Sequence, residues 1–197
     1  MDVYYADEPF NHHYFIKTVN NDHRDASLLR VDNHLDYTGE IPCSRYVSKI
    51  KYFFRNVIWL NKPSTDMFTI DVDRRAFPDM ASGFEFFESL GEVIDHLSSV
   101  LMDKVVIDID PDVINNYFET TTNYSRKFDT GMMSLDELRS VIKHVYSNYD
   151  VLYLFFAAPK EFAEQSINEL IKEPNFIHLD QRSYGDENLN TSLSLTH

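Results

Sequence analysis

The stretch SLLRVDNHLD, residues 27–36, is an apolar segment that ends in three metal-type ligands on alternate residues. Successive side chains of a strand point to opposite faces, so Asp32, His34 and Asp36 leave the backbone on one side. The pattern predicts a buried strand whose carboxyl end carries a cluster of ligands.

A second stretch, VVIDID at residues 105–110, repeats the pattern with Asp108 and Asp110 at alternate positions. If the two strand ends lie side by side, five ligand side chains share one small volume. Such a cluster is costly unless cations neutralise it. The two stretches together predict a metal centre, with hydrolysis as its natural chemistry.

Another pair of carboxylates competes for the second position. Asp71 and Asp73 also end an apolar segment, but the arginines at 74–75 follow directly and could pair with them. Asp108 and Asp110 are favoured because a helix and an apolar strand follow theirs. For each carboxylate cluster, the alternative is a solvated turn after a strand.

Predicted strands and helices alternate along most of the chain. Strands are predicted at 3–6, 28–32, 56–60, 67–72, 104–109, 151–156 and 176–179, and helices at 12–20, 46–54, 84–102, 134–145 and 161–172. Most of these strands are continuous apolar runs, which is typical of a parallel sheet buried on both faces. The expected fold is therefore a three-layer α/β/α domain with a mainly parallel sheet.

Length and composition limit the other possibilities. One domain is expected over 1–182, followed by a polar, flexible tail at 183–197. The net charge of −14 leaves no basic stripe for a nucleic acid and disfavours anionic membranes. Cys43 is the only cysteine, which excludes a cysteine zinc finger. No signal peptide or membrane span is visible, so a cytoplasmic protein is expected.

Two motifs resemble a known family. DNHLD at 32–36 resembles the D-x-H-x-D signature of the arginase/deacetylase superfamily, and VIDID at 106–110 looks like its later D-x-D strand. The order of elements from about His12 to Lys172 is similar to that of small, poorly characterised arginase-like proteins. The resemblance implies an α/β/α fold with two Mn²⁺ ions, or one Zn²⁺ ion.

The resemblance also implies a ligand set. One metal would lie between His12, Asp32, Asp36 and Asp108, and the other between Asp32, His34, Asp108 and Asp110. Asp32 and Asp108 would then bridge the ions, and His13 is the alternative to His12. A metal-activated water would attack the carbon of a small-molecule substrate that carries an acylated or guanidino group. The implied activity is hydrolysis of a non-peptide C–N bond, of amide or guanidinium type.

The chain departs from the family at several points. No histidine follows Asp36 in the position of the ureohydrolase proton shuttle, and no guanidinium-binding loop is evident. His178, on the last predicted strand, is a candidate acid or base, although a lone histidine on an apolar strand is more often a core residue. Trp59 is expected in the core.

Two other interpretations stay open. The acidity suits a non-enzymatic interaction protein, such as an immunity protein or an inhibitor of a basic partner. A degenerate family member that keeps the fold and has lost one metal is the third possibility. The sequence does not indicate an oligomeric state.

Overall fold

Seven parallel strands form one sheet in the computed structural model, which describes residues 1–6, 23–33, 53–61, 84–86, 90–115 and 131–179. The strands are β1 (Asp2–Tyr5), β2 (His23–Val31), β3 (Phe54–Asn61), β4 (Phe84–Phe86), β5 (Lys104–Ile109), β6 (Asp150–Phe156) and β7 (Asn175–His178). The helices of these ranges are α1 (Leu90–Val100), α2 (Leu135–Asn148) and α3 (Lys160–Ile167), with a 3-10 turn at Pro111–Val113.

The strand order places β2 and β5 next to each other in the middle of the sheet. The full order is β4-β3-β2-β5-β6-β1-β7. From β2 the chain proceeds to β3 and β4 on one side, and from β5 it proceeds to β6 on the other. The carboxyl ends of β2 and β5 therefore form a topological switch point, where open α/β sheets bind their ligands.

Both faces of the sheet are buried. One face carries Leu29, Ile107 and Leu154, which share a core with apolar side chains of α1, α2 and α3. The opposite face carries Leu28 and Val106, which belong to a second buried cluster. Burial on both sides explains the continuous apolar strands and confirms the predicted α/β fold with a parallel sheet.

Helix α2 begins at the predicted capping box. The backbone N–H of Glu137 donates to Ser134 Oγ at 3.2 Å, and the N–H of Ser134 donates to Glu137 Oε2 at 2.8 Å. These two bonds satisfy amide groups that a helix start leaves without intrahelical partners. The buried stripe of α2 consists of Leu138, Val141, Ile142 and Val145.

Several predicted boundaries were wrong. The helix predicted over 84–102 begins only at Leu90, because Phe84–Phe86 pair in parallel with Trp59–Asn61 and add a strand to the sheet edge. Pairing with a distant strand overrides the local helical pattern there. The helix predicted to reach 172 ends at Ile167, and Glu169 follows with a positive φ of 63°.

Strands β2 and β3 start earlier than predicted. Strand β2 begins at His23 rather than Leu28, and β3 begins at Phe54, which the sequence placed at the end of a helix. Four predicted segments lie outside the described residues: 46–52 of that helix, the helix at 12–20, the strand at 67–72 and the tail at 183–197. None of the described helices is long and apolar enough to cross a membrane.

Candidate metal centre

Asp32 and Asp110 lie side by side at the switch point. Asp32 follows β2 and its N–H donates to the carbonyl of Leu60 at 3.1 Å, while the N–H of Asp110 donates to the carbonyl of Val31 at 2.9 Å. These bonds extend the parallel ladders one step beyond the strands. The carboxyl ends of β2 and β5 are therefore held side by side, which is the condition under which the two carboxylate clusters can share one volume.

Asp112 joins the same place through the 3-10 turn that follows β5. Its N–H donates to Asp110 Oδ1 at 3.1 Å, and its Oδ1 accepts the N–H of Asn33 at 3.0 Å. The carbonyl of Asp112 accepts the N–H of Gly131 at 2.7 Å. The bonds to Asp110 and from Gly131 hold the backbone of Asp112, and the bond from Asn33 holds its side chain at the end of β2.

Three carboxylates thus converge. One ligand atom from each of Asp32, Asp110 and Asp112 lies within 4.8 Å of the other two. The side chains are 0%, 5% and 6% exposed. Carboxylate oxygens are the donors that hard divalent cations prefer, so the chemistry of this set fits a metal ion.

Arg30 lies beside Asp32, one of the three carboxylates, and is completely buried. It is directly opposite Asp108 in the β2–β5 register, and its Nη1 donates to Asp108 Oδ2 at 2.6 Å. Its Nη2 forms an ion pair with Asp32 Oδ2. Arg30, Asp32 and Asp108 all have fully buried side chains, so this ion-pair network lies inside the protein.

The electrostatic balance favours a cation. Among the described residues, the carboxylates of Asp32, Asp108, Asp110 and Asp112 and the guanidinium of Arg30 are buried together at this edge. Ionised carboxylates out of contact with water are stable only when positive charge compensates them. A divalent ion held by Asp32, Asp110 and Asp112 would supply such charge.

The predicted site residues have different outcomes. The structure places Asp32 and Asp110 in one group with Asp112, whereas Asp108 contacts Arg30 and is not part of that group. His12, His13, His34 and Asp36, together with the competing Asp71 and Asp73, lie outside the described residues.

His178 lies away from the carboxylates. It is on the edge strand β7, where its ring stacks on Tyr5 at 4.9 Å between centroids, and β6 and β1 separate it from β5. Three strand spacings amount to about 14 Å, which exceeds the reach of direct proton transfer. The structure therefore does not bring the predicted acid or base to the site.

Two site residues were missed from the sequence. Arg30 interrupts an apolar strand, and a charge in a strand buried on both faces needs a partner. This need for a buried partner was the sequence signal that could have identified Arg30. Asp112 continues the alternation of Asp108 and Asp110 past Pro111, but the predicted ligand set did not include it. The 3-10 turn is what keeps Asp112 at the site.

Comparison with known proteins gives information on the fold. No protein-family model matches the chain, and no curated protein sequence matches it. Among solved structures, an arginase from Bacillus subtilis has a TM-score of 0.58 at 14% identity, over 85% of this chain and 68% of that one. An agmatine ureohydrolase from Thermoplasma volcanium has a TM-score of 0.54 at 13% identity, over 85% of this chain and 57% of that one.

A formimidoylglutamase from Bacillus subtilis has a TM-score of 0.54 at 12% identity, over 72% of this chain. The chain covers only 49% of that protein's length, so it spans about half of this neighbour. At these identities the likeness concerns the fold. The protein therefore has the fold of the arginase and ureohydrolase structures, which confirms the arginase-like α/β fold that was expected.

Proposed function

We propose that the protein is a metal-dependent hydrolase that cleaves a non-peptide C–N bond of amide or guanidinium type. The observation that carries the proposal is the convergence of Asp32, Asp110 and Asp112, buried, at the switch point of the sheet. Solved structures named as an arginase and an agmatine ureohydrolase share the fold. A small molecule is the proposed substrate, since such crevices bind small ligands.

The proposed ion is Mn²⁺ or Zn²⁺, held by Asp32, Asp110 and Asp112. His34 and Asp36, which lie outside the described residues, are proposed as further ligands from their alternation with Asp32. Imidazole and carboxylate together suit either of these two metals. When bound, such an ion lowers the pKa of a water ligand and polarises the bond under attack.

The residues of this chain would orient the ligands. The backbone N–H of Asn33 holds Asp112 Oδ1, and the N–H of Asp112 holds Asp110 Oδ1. Hydrogen bonds of this kind fix ligand orientation around a metal and typically change metal affinity by about 10–100-fold. Burial of the carboxylates keeps bulk water away from them and strengthens their attraction for a cation.

The first test is metal content. Protein purified without chelator and loaded with Mn²⁺ or Zn²⁺ is compared with Asp32→Asn and Asp110→Asn by inductively coupled plasma mass spectrometry. Asp25→Asn is the matched control, because Asp25 is an exposed carboxylate of β2 that pairs with Lys104 at 2.5 Å. Metal should be retained in the control and lost in both site variants. Equal metal content in all four proteins would refute the proposed centre.

The second test is hydrolysis. The metal-loaded protein is screened with small amides and guanidino compounds, and release of ammonia or urea is measured. Turnover that disappears in Asp110→Asn and persists in Asp25→Asn is the expected result. Metal binding without turnover of either class would retain the centre and refute the hydrolase. If the protein binds no metal, the alternative is a non-enzymatic acidic interaction protein. Capture of a basic partner at low salt would test that alternative.

A further inference from the structure

Arg30 has an unusual position for a charged residue. It lies within β2, its side chain is fully buried, and it belongs to the sheet face that also carries Leu28. A guanidinium keeps its charge at any pH that a folded protein tolerates. Its burial therefore requires permanent negative partners, and the structure supplies Asp32 and Asp108.

These two partners are the residues that the family resemblance assigns to the bridge between two metals. Arg30 Nη1 donates to Asp108 Oδ2 at 2.6 Å, and Nη2 pairs with Asp32 Oδ2. A guanidinium that contacts both carboxylates provides the positive charge that a shared metal ion would bring. Like charges repel strongly in a buried site, so a second ion at Asp108 would compete with this guanidinium.

We propose that Arg30 takes the place of one of two metal ions, so that the centre holds a single divalent ion at Asp32, Asp110 and Asp112. The inference rests on the proposed metal centre and makes its stoichiometry specific. Arg30 is then a positioning residue: it holds Asp32 for the remaining ion and neutralises Asp108. The guanidinium is part of the polypeptide, so this positive charge stays in place when a chelator removes a bound metal ion.

Different carboxylates pair with Arg30 and hold the proposed ion, and Asp32 does both. Asp108 lies opposite Arg30 in the strand register, within the sheet, whereas Asp110 and Asp112 follow the end of β5. The group of three that could hold an ion contains Asp110 and Asp112 and leaves Asp108 to the arginine. One side of the cluster is thus engaged by the guanidinium and the other side fits a metal.

The experiment counts bound ions. Mn²⁺ and Zn²⁺ binding is measured by native mass spectrometry and by titration calorimetry on the full chain and on Arg30→Met, Arg30→Lys and Arg24→Met. Arg24 is an exposed arginine of the same strand, so Arg24→Met controls for the change in net charge. The expected numbers are one ion per chain in the unaltered protein, in Arg24→Met and in Arg30→Lys, and two ions in Arg30→Met.

The outcomes distinguish this inference from the proposed function. Two ions in the unaltered protein would overturn the role of Arg30 and leave the metal centre intact, whereas no ion would overturn both. One ion in Arg30→Met would also overturn the inference, because removal of the guanidinium should free the second position. If Arg30→Met fails to fold, the count in the unaltered protein still decides between one ion and two.

Discussion

The indole N–H of Trp59 donates a hydrogen bond of 2.8 Å to the backbone carbonyl of Asp32. Trp59 lies on β3, next to β2, and its side chain is only 4% exposed. The chain contains a single tryptophan, so its tryptophan fluorescence comes from this indole ring. The ring is hydrogen-bonded to the backbone of Asp32, a proposed metal ligand. This relationship provides an optical signal from the site.

We expect tryptophan fluorescence to change saturably when Mn²⁺ or Zn²⁺ is added. Binding of an ion at Asp32 alters the electric field at the indole, and the shift should follow the calorimetric binding curve. The measurement is emission with excitation near the red edge of the indole band, repeated on Asp110→Asn. A metal response of equal size in Asp110→Asn would show that the signal does not come from the proposed site.

Gly131→Ala should weaken both the fold and the metal centre. A Cβ at this position would lie 2.4 Å from the carbonyl oxygen of Val113, in the segment that follows Asp112. Relief of this clash requires the backbone to move, at an expected cost of about 1–3 kcal/mol in the free energy of unfolding. Since the N–H of Gly131 also holds the carbonyl of Asp112, metal affinity should fall. Urea unfolding and metal titration measure the two effects.

The control for that substitution is Gly91→Ala, at an exposed position in the first turn of α1. Alanine has the higher helix propensity, so this change should leave the protein equally stable or slightly more stable, by up to about 1 kcal/mol. Metal binding should not change. If both glycine variants lose the same stability and metal affinity, the close approach of Gly131 to Val113 does not explain the effect.

Ser134→Ala should destabilise the protein by about 1 kcal/mol, because it removes the side-chain cap of α2. The expected effect is on stability alone. Chemical denaturation measures it, with Ser147→Ala, an exposed serine within the same helix, as the control. Similar values for the two variants would mean that the capping box contributes little.

Tyr153 should make the protein sensitive to alkaline pH. Burial raises the pKa of its phenol above the ordinary value, with smaller contributions from Tyr4 and Asp108. An unfolded tyrosine loses its proton above about pH 10 while the folded one retains it, so the unfolded state then binds fewer protons. The contribution of Tyr153 to stability is complete below that pH and declines as the pH rises toward the raised pKa.

Tyr153→Phe should therefore reduce the loss of stability above about pH 10, where one such group contributes at most about 1.4 kcal/mol per pH unit. Near neutral pH the variant should be slightly less stable, since the phenol oxygen lies 3.2 Å from His23 Nε2. Urea unfolding at several pH values between 8 and 11 measures both. Parallel pH profiles for the two proteins would contradict the prediction.

Much of the fold was predictable because its signals are local. Strand β5 was predicted with its observed bounds of Lys104–Ile109, and α2 was predicted from Ser134 and Glu137. Strand β4 was missed, since Phe84–Phe86 form a strand by pairing with β3. Its short aromatic sequence does not distinguish that pairing from the start of a helix.

The alternation of side chains along a strand is readable from the sequence, and it places Asp32 beyond Arg30, and Asp110 beyond Asp108, on the same side. The contacts that those side chains make depend on how the strands are arranged in the sheet. Arg30 reaches Asp108, 78 residues away, only because β2 and β5 are neighbours in this register. Strand order also puts His178 at the far edge. The order of strands depends on how the whole sheet is connected and buried, and a short stretch of sequence does not carry that information.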